Sequence, residues 1–283
     1  MVLVKKSFLK SIRLILVAGI VFSAGCSKPV EVQSRWPDHE IIIDGNDDEW
    51  GSATIYSTEA KVSLTLINDN EKLYLRLYSR DRDVQMQILS GGLTIWFDPD
   101  HDKKKIFGIH FPMRREHMDM GMPMGEIKEP EDMEYMINES FDELELLYPE
   151  IEESHRFLLP AARIHGIEAK LSFSKGNLVY ELKVPLVQSE EHKYAVRTNE
   201  QSDSVIHIGF ETAEIDREAM KEKMQEHMER DGGQMPEQGS GMPPAGGNMP
   251  MPPGGGPPGM GKMAEPLDLW IAVKLASAPQ SQD

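Results

Sequence analysis

Val62, Leu64 and Leu66 alternate with Ser63, Thr65 and Ile67, and Leu73, Leu75 and Leu77 alternate with Tyr74, Arg76 and Tyr78. An apolar period of two places one side of an extended chain in a core and turns the other side away, so these segments read as half-buried strands. Between them, Asn68-Asp69-Asn70-Glu71 supplies residues that tolerate tight turns, and the pair reads as a hairpin. Further strand-like runs are Glu40 to Ile43, Leu93 to Phe97 and Ile106 to Phe111. A second hairpin is expected from Glu168 to Leu186, turning at Lys175-Gly176-Asn177. Val205 to Phe210 sets Ile206, Ile208 and Phe210 on one side, and the last run sets Leu267, Leu269, Ile271, Val273 and Leu275 against Asp268, Trp270, Ala272 and Lys274. Many short strands separated by turn residues indicate an all-β fold, an antiparallel β-sandwich.

Two irregular stretches interrupt the pattern, so the expected unit is one sandwich domain over residues 39–278 with insertions at about 113–166 and 214–265, and a tail at 279–283. In the first insertion, a helix is expected from near Pro130, with Met133, Ile137, Phe141, Leu144, Leu147 and Tyr148 at spacings of three and four and an acidic outer face. In the second, Glu214 to Asp231 reads as a charged helix, and Gly232 to Glu265 is a Gly, Pro and Met tract too poor in core-forming side chains to pack, hence expected to be disordered.

The single cysteine, Cys26, ends Ser23-Ala24-Gly25-Cys26. Upstream lie Lys5, Lys6, Lys10 and Arg13 and the short apolar run Leu14 to Phe22, too short to span a bilayer as a helix. Residues 1–25 therefore read as a cleaved lipoprotein signal peptide, Cys26 as the lipidated residue and residues 26–38 as a tether. Ser27 after the cysteine points to an outer membrane, by analogy with enteric bacteria. Without a second cysteine there is no disulfide, and stability must come from packing. The net charge of −17 becomes four units more negative once the basic leader is removed. Such a chain repels nucleic acid and anionic headgroups, so its membrane partner is reached through lipid.

Ile43-Asp44-Gly45, Asp48-Glu49-Trp50 and Ala53 are followed by Asn68-Asp69-Asn70-Glu71-Lys72-Leu73-Tyr74, by Asp81 and Asp83, and by Leu93-Thr94-Ile95-Trp96-Phe97-Asp98-Pro99-Asp100. In order and spacing, these roughly seventy residues resemble family-nine carbohydrate-binding modules and their DOMON-like relatives. The resemblance implies a β-sandwich that holds a glycan or another extracellular ligand on surface aromatics. Trp36, Trp96 and Trp270 are the candidate ligand-binding indoles, whereas Trp50 is expected to fold back as a core anchor. DOMON-like relatives that bind haem b through Met with Lys or His make Met86 and His110 the residues to inspect for that cofactor.

Two metal readings also arise. Asp98, Asp100 and Asp102 place carboxylates at alternate positions after a strand, where they could offer oxygens to Ca²⁺, with Asp81 and Asp83 as further donors. Of eighteen methionines, all but Met1 and Met86 fall in 113–136 or 220–263. In His117-Met118-Asp119-Met120-Gly121-Met122-Pro123-Met124 the thioethers alternate, with His110 and Met113 close in sequence. Thioethers are soft ligands for Cu(I) or Ag(I), and the stretch resembles the methionine motifs of bacterial copper-handling proteins. The helical set Met220, Met224, His227 and Met228 is expected to pack rather than ligate. No G-x-S-x-G, H-E-x-x-H, Walker or dinucleotide fingerprint is present, so the chain is expected to be non-catalytic. The leading expectation is a glycan-binding envelope lipoprotein, with Cu(I)/Ag(I) handling and haem binding as alternatives.

Overall fold

The computed structural model describes residues 29–46, 48–100, 102–113, 137, 141–174, 176–196, 205–213 and 265–279. Twelve described strands run in order: β1 (Val30–Gln33), β2 (Ile55–Ser57), β3 (Val62–Asn68), β4 (Lys72–Ser79), β5 (Leu93–Asp98), β6 (Phe107–Phe111), β7 (Glu143–Tyr148), β8 (Glu153–Leu158), β9 (Glu168–Ser174), β10 (Asn177–Pro185), β11 (Val205–Thr212) and β12 (Asp268–Lys274). Helix α1 (Arg82–Gly91) joins β4 to β5, and α2 (Leu159–Ile164) joins β8 to β9. One sheet has seven strands in the order β1-β12-β11-β5-β6-β7-β8, the other five in the order β2-β3-β4-β10-β9. Every pairing is antiparallel except β1 beside β12.

The expected alternation places the core. Leu64, Leu66, Leu73, Leu75, Leu77, Tyr180 and Leu182 of the smaller sheet meet Ile95, Phe97, Ile109, Ile206, Ile208, Phe210 and Ile271 of the larger, all of them fully buried. Each such aliphatic side chain contributes roughly 1.5–3 kcal/mol through burial, and together they hold the two layers without any cross-link. The turn after β3 closes as its residues dictate: the Asp69 carboxylate accepts from the backbone N–H of Glu71 and of Lys72, both at 2.7 Å.

Three expectations are corrected. Residues Glu143 to Tyr148 are strand β7, not part of a helix, and β8 follows, so both belong to the sandwich rather than to an insertion. Leu144 and Leu146 are buried with Glu143, Glu145 and Leu147 on the other side, and this period-two pattern is hidden in the i, i+3 spacing of Phe141, Leu144 and Leu147. Glu40 to Ile43 form no strand, yet Ile41 and Ile43 are buried. They descend from a segment that crosses a sheet face instead of pairing along its edge. Val30–Gln33, read as tether, is strand β1. It is fastened where Ala276 N–H donates to Ser34 Oγ and Asn68 Oδ1, each at 2.9 Å, joining the residues that follow β1 and β12 to β3. The helix α1 had no counterpart among the expectations; Asp81 caps it by accepting from Asp83 and Val84 N–H. The expected helix at 214–231, the tract at 232–264 and Cys26 lie outside the described residues.

Candidate functional site

The outer face of the five-stranded sheet carries three cross-strand rows. Ile67 and Tyr74 pair in one, Thr65, Arg76 and Glu181 in the next, and Tyr56, Ser63, Tyr78 and Val179 in the third. Residues 41–46 and 48–50 lie over the first two. Ile41, Ile43 and Trp50 close a second small core on Ile67 and Tyr74. Gly45 makes this crossing possible: its φ of +88° is open to glycine, and a Cβ there would stand 2.7 Å from Ser172 Cβ. Trp50 is fully buried, as expected of an anchor, and its Nε1–H donates to Glu181 Oε1 at 2.8 Å while Gly45 N–H donates to Oε2 at 2.8 Å. Arg76 lies 5.9 Å from the Trp50 ring centroid and donates to Thr65 Oγ1 at 3.0 Å and to Gly51 O at 3.3 Å.

The crossing segment stops short of the third row, and a cleft opens there. Its volume is about 640 Å³, and Tyr56, Lys61, Ser63, Tyr78, Arg80 and Asp81 line it. A second hollow of about 430 Å³ shares Ser63, Tyr78 and Arg80 and extends to Asp48, Gly51, Ala53 and Arg76. Since Tyr56 and Tyr78 flank Ser63 across adjacent strands, their backbones stand two strand spacings apart, about 10 Å. Tyr56 is 62% exposed. Arg80 sits 5.7 Å from the Tyr78 ring centroid, and its Nε–H donates to the Tyr78 hydroxyl at 3.0 Å. Lys61 pairs with Asp81 at 2.8 Å, which lowers the Asp81 pKa and raises that of Lys61. Such a set offers aromatic faces and polar groups around one concavity.

The expected site residues are distributed elsewhere. Trp270 and Trp96 share a row on the outer face of the seven-stranded sheet, on either side of Gly209. Trp270 lies over Gly209, where a Cβ would be 2.6 Å from its Cε2, and Trp96 lies over Gly108 in the same manner. Trp96 is only 6% exposed; its Nε1–H donates to Glu211 at 2.8 Å, and Lys105 Nζ stands 5.4 Å from the ring centroid. Trp36, partly exposed, is on the N-terminal segment beside β3, away from that pair in the fold. The structure therefore joins two of the three indoles, and one of those two is covered.

His110 Nδ1 shares a hydrogen bond with Thr94 Oγ1 at 2.9 Å, and burial lowers its pKa, so the ring is neutral at neutral pH. Its other edge packs against Gly92. Met86 packs on the core from α1. Met113 is held through its backbone N–H to Glu143 O at 3.2 Å, while His117, Met118, Met120, Met122 and Met124 lie outside the described residues. Asp98 is fully buried and accepts from Asp100 N–H at 2.8 Å and Lys104 N–H at 2.9 Å, and Asp102 pairs with Lys104 Nζ at 2.9 Å. Among the described residues, no three His, Cys, Asp or Glu side chains converge as metal ligands. No described helix is long and apolar enough to cross a membrane.

Sequence reasoning missed the tyrosine cleft. Period two already placed Tyr78 on the non-core side of β4, but nothing local paired it with Tyr56, whose strand is three residues long.

No protein-family model and no curated protein sequence matches the chain. Among solved structures, it is similar to a family-nine carbohydrate-binding module from Caldicellulosiruptor kristjanssonii in complex with glucose, at 12% identity and a TM-score of 0.33, over 67% of this chain and 81% of that one. The same module in complex with cellotriose matches at 14% identity and a TM-score of 0.31, over 68% and 80%.

Proposed function

We propose that this chain is a non-catalytic, lipid-anchored module of a bacterial cell envelope, in an outer membrane, and that it binds a glycan in the cleft between Tyr56 and Tyr78. The observation that carries the reading is the cleft itself: two tyrosines on one row, a small serine between them, and Lys61, Arg80 and Asp81 at the rim. Sugar rings present an apolar face and a hydroxylated edge, and this lining meets both requirements. Neither the buried Trp96 nor the Thr94-bonded His110 offers an equally open surface. Lipidation rests on the sequence around Cys26, and because β1 begins at Val30 the anchor would hold the sandwich close to the bilayer.

A glycan array followed by calorimetry on the strongest ligand tests the reading. Tyr78→Ala and Tyr56→Ala should each weaken affinity at least tenfold, the loss of about 1.4 kcal/mol or more of contact energy. Binding that is indifferent to both substitutions would place the ligand elsewhere. Incorporation of labelled palmitate that is abolished by Cys26→Ser tests the anchor.

A further inference from the structure

Resting on the glycan reading, we infer that the cleft takes an acidic sugar, with Arg80 receiving its carboxylate. The charges around the cleft are not equivalent. Lys61 is neutralised by Asp81 at 2.8 Å, and Asp81 also accepts from the Asp83 and Val84 N–H groups in the first turn of α1. Arg76 is buried and turned toward Thr65 and the Gly51 carbonyl. Arg80 differs from both. It is exposed, it lines both hollows, and among the described residues no carboxylate pairs with it.

Arg80 stands at the mouth of the cleft with no acidic partner among the described residues. Its geometry is also prepared. The hydrogen bond from Nε–H to the Tyr78 hydroxyl and the approach to the Tyr78 ring restrain the long side chain. Both Nη groups are left to form the two parallel bonds that a carboxylate accepts. Arg80 lines both hollows, whereas Asp48 lines only the second. A glycan stacked at Tyr78 with a uronic carboxylate on the neighbouring position would meet the Arg80 guanidinium.

The test is calorimetry with a panel of uronic-acid oligosaccharides and their carboxyl-reduced, neutral counterparts. For the unmodified chain, the acidic member of a pair should bind about tenfold tighter or more, as expected for a charge-assisted pair. Arg80→Gln should bring the ratio of the two dissociation constants close to one, with the melting temperature unchanged because the side chain is exposed. Arg80→Lys should restore part of the ratio, since it keeps the charge and loses the fork. Equal affinity for both members, or a ratio that Arg80→Gln leaves intact, would overturn the inference while the glycan reading stands. Absence of binding to any acidic or neutral oligosaccharide would overturn both.

Discussion

Trp50 and Glu181 lie 131 positions apart in the chain, are both fully buried, and are joined by a 2.8 Å hydrogen bond from the indole N–H to the carboxylate. The same carboxylate accepts from Gly45 N–H. One side chain of β10 thus holds the crossing segment at its middle, Gly45, and at its end, Trp50, and the position of that segment decides where the cleft begins. Burial pushes the Glu181 pKa up to about 7, against the two N–H donors that favour its charged form.

That shift has a definite sign. Between about pH 4.5 and pH 7 an unfolded Glu has already lost its proton while folded Glu181 retains it, so the unfolded chain binds fewer protons and stability falls as pH rises. The contribution is complete below pH 4.5 and lost above pH 7, on the order of 3 kcal/mol in all. Urea denaturation across this window should show the decline, and Glu181→Gln should flatten it. An equal decline in the variant would assign the effect to other groups.

The indoles on the larger sheet depend on two glycines. Gly209→Ala would drive a methyl group into Trp270, and Gly108→Ala would do the same to Trp96. Each should cost about 1–3 kcal/mol by overpacking. In a Trp270→Ala background, the cost of Gly209→Ala should shrink below about 0.5 kcal/mol, because the clashing ring is gone. Additive costs in that double-mutant cycle would refute the contact as the cause.

Asp98 organises the turn after β5 through Asp100 and Lys104 N–H. Asp98→Ala strands both donors and should lower stability by about 2 kcal/mol. Thermal denaturation should give the same loss in calcium and in EDTA. A loss that appears only with calcium present would assign these carboxylates to a cation instead.

The strands that carry the core were legible where an alternating pattern stood alone, as in Val62 to Ile67 and Leu73 to Tyr78. They were illegible in Glu143 to Tyr148, because Leu144 and Leu147 fit a helical spacing as well as Leu144 and Leu146 fit an extended one. Helix α1 escaped notice for a related reason: Gln85 and Gln87 are buried on it although their side chains are polar. Gln85 donates to Ser79 O and Gly176 O, and Gln87 to Glu265 O, bonds to distant segments that no local pattern announces. Trp50 was read correctly as an anchor, but its partner Glu181 was one of 47 acidic residues with nothing to distinguish it. The indoles chosen as ligand contacts were selected by residue type alone, and residue type does not encode that Trp96 lies under Lys105 on a glycine.

By itself the sequence determined the all-β class, the inward side of most strands and the turn at Asp69, since periodicity and side-chain-to-backbone bonds act over a few residues. Only the tertiary structure decided that residues 41–46 and 48–50 cross one sheet face and that Tyr56, Ser63 and Tyr78 share a row. It also decided that Arg80 faces a cleft beside them. Those relations are set by strand register and by burial shared among segments far apart in the chain, and a linear pattern carries neither.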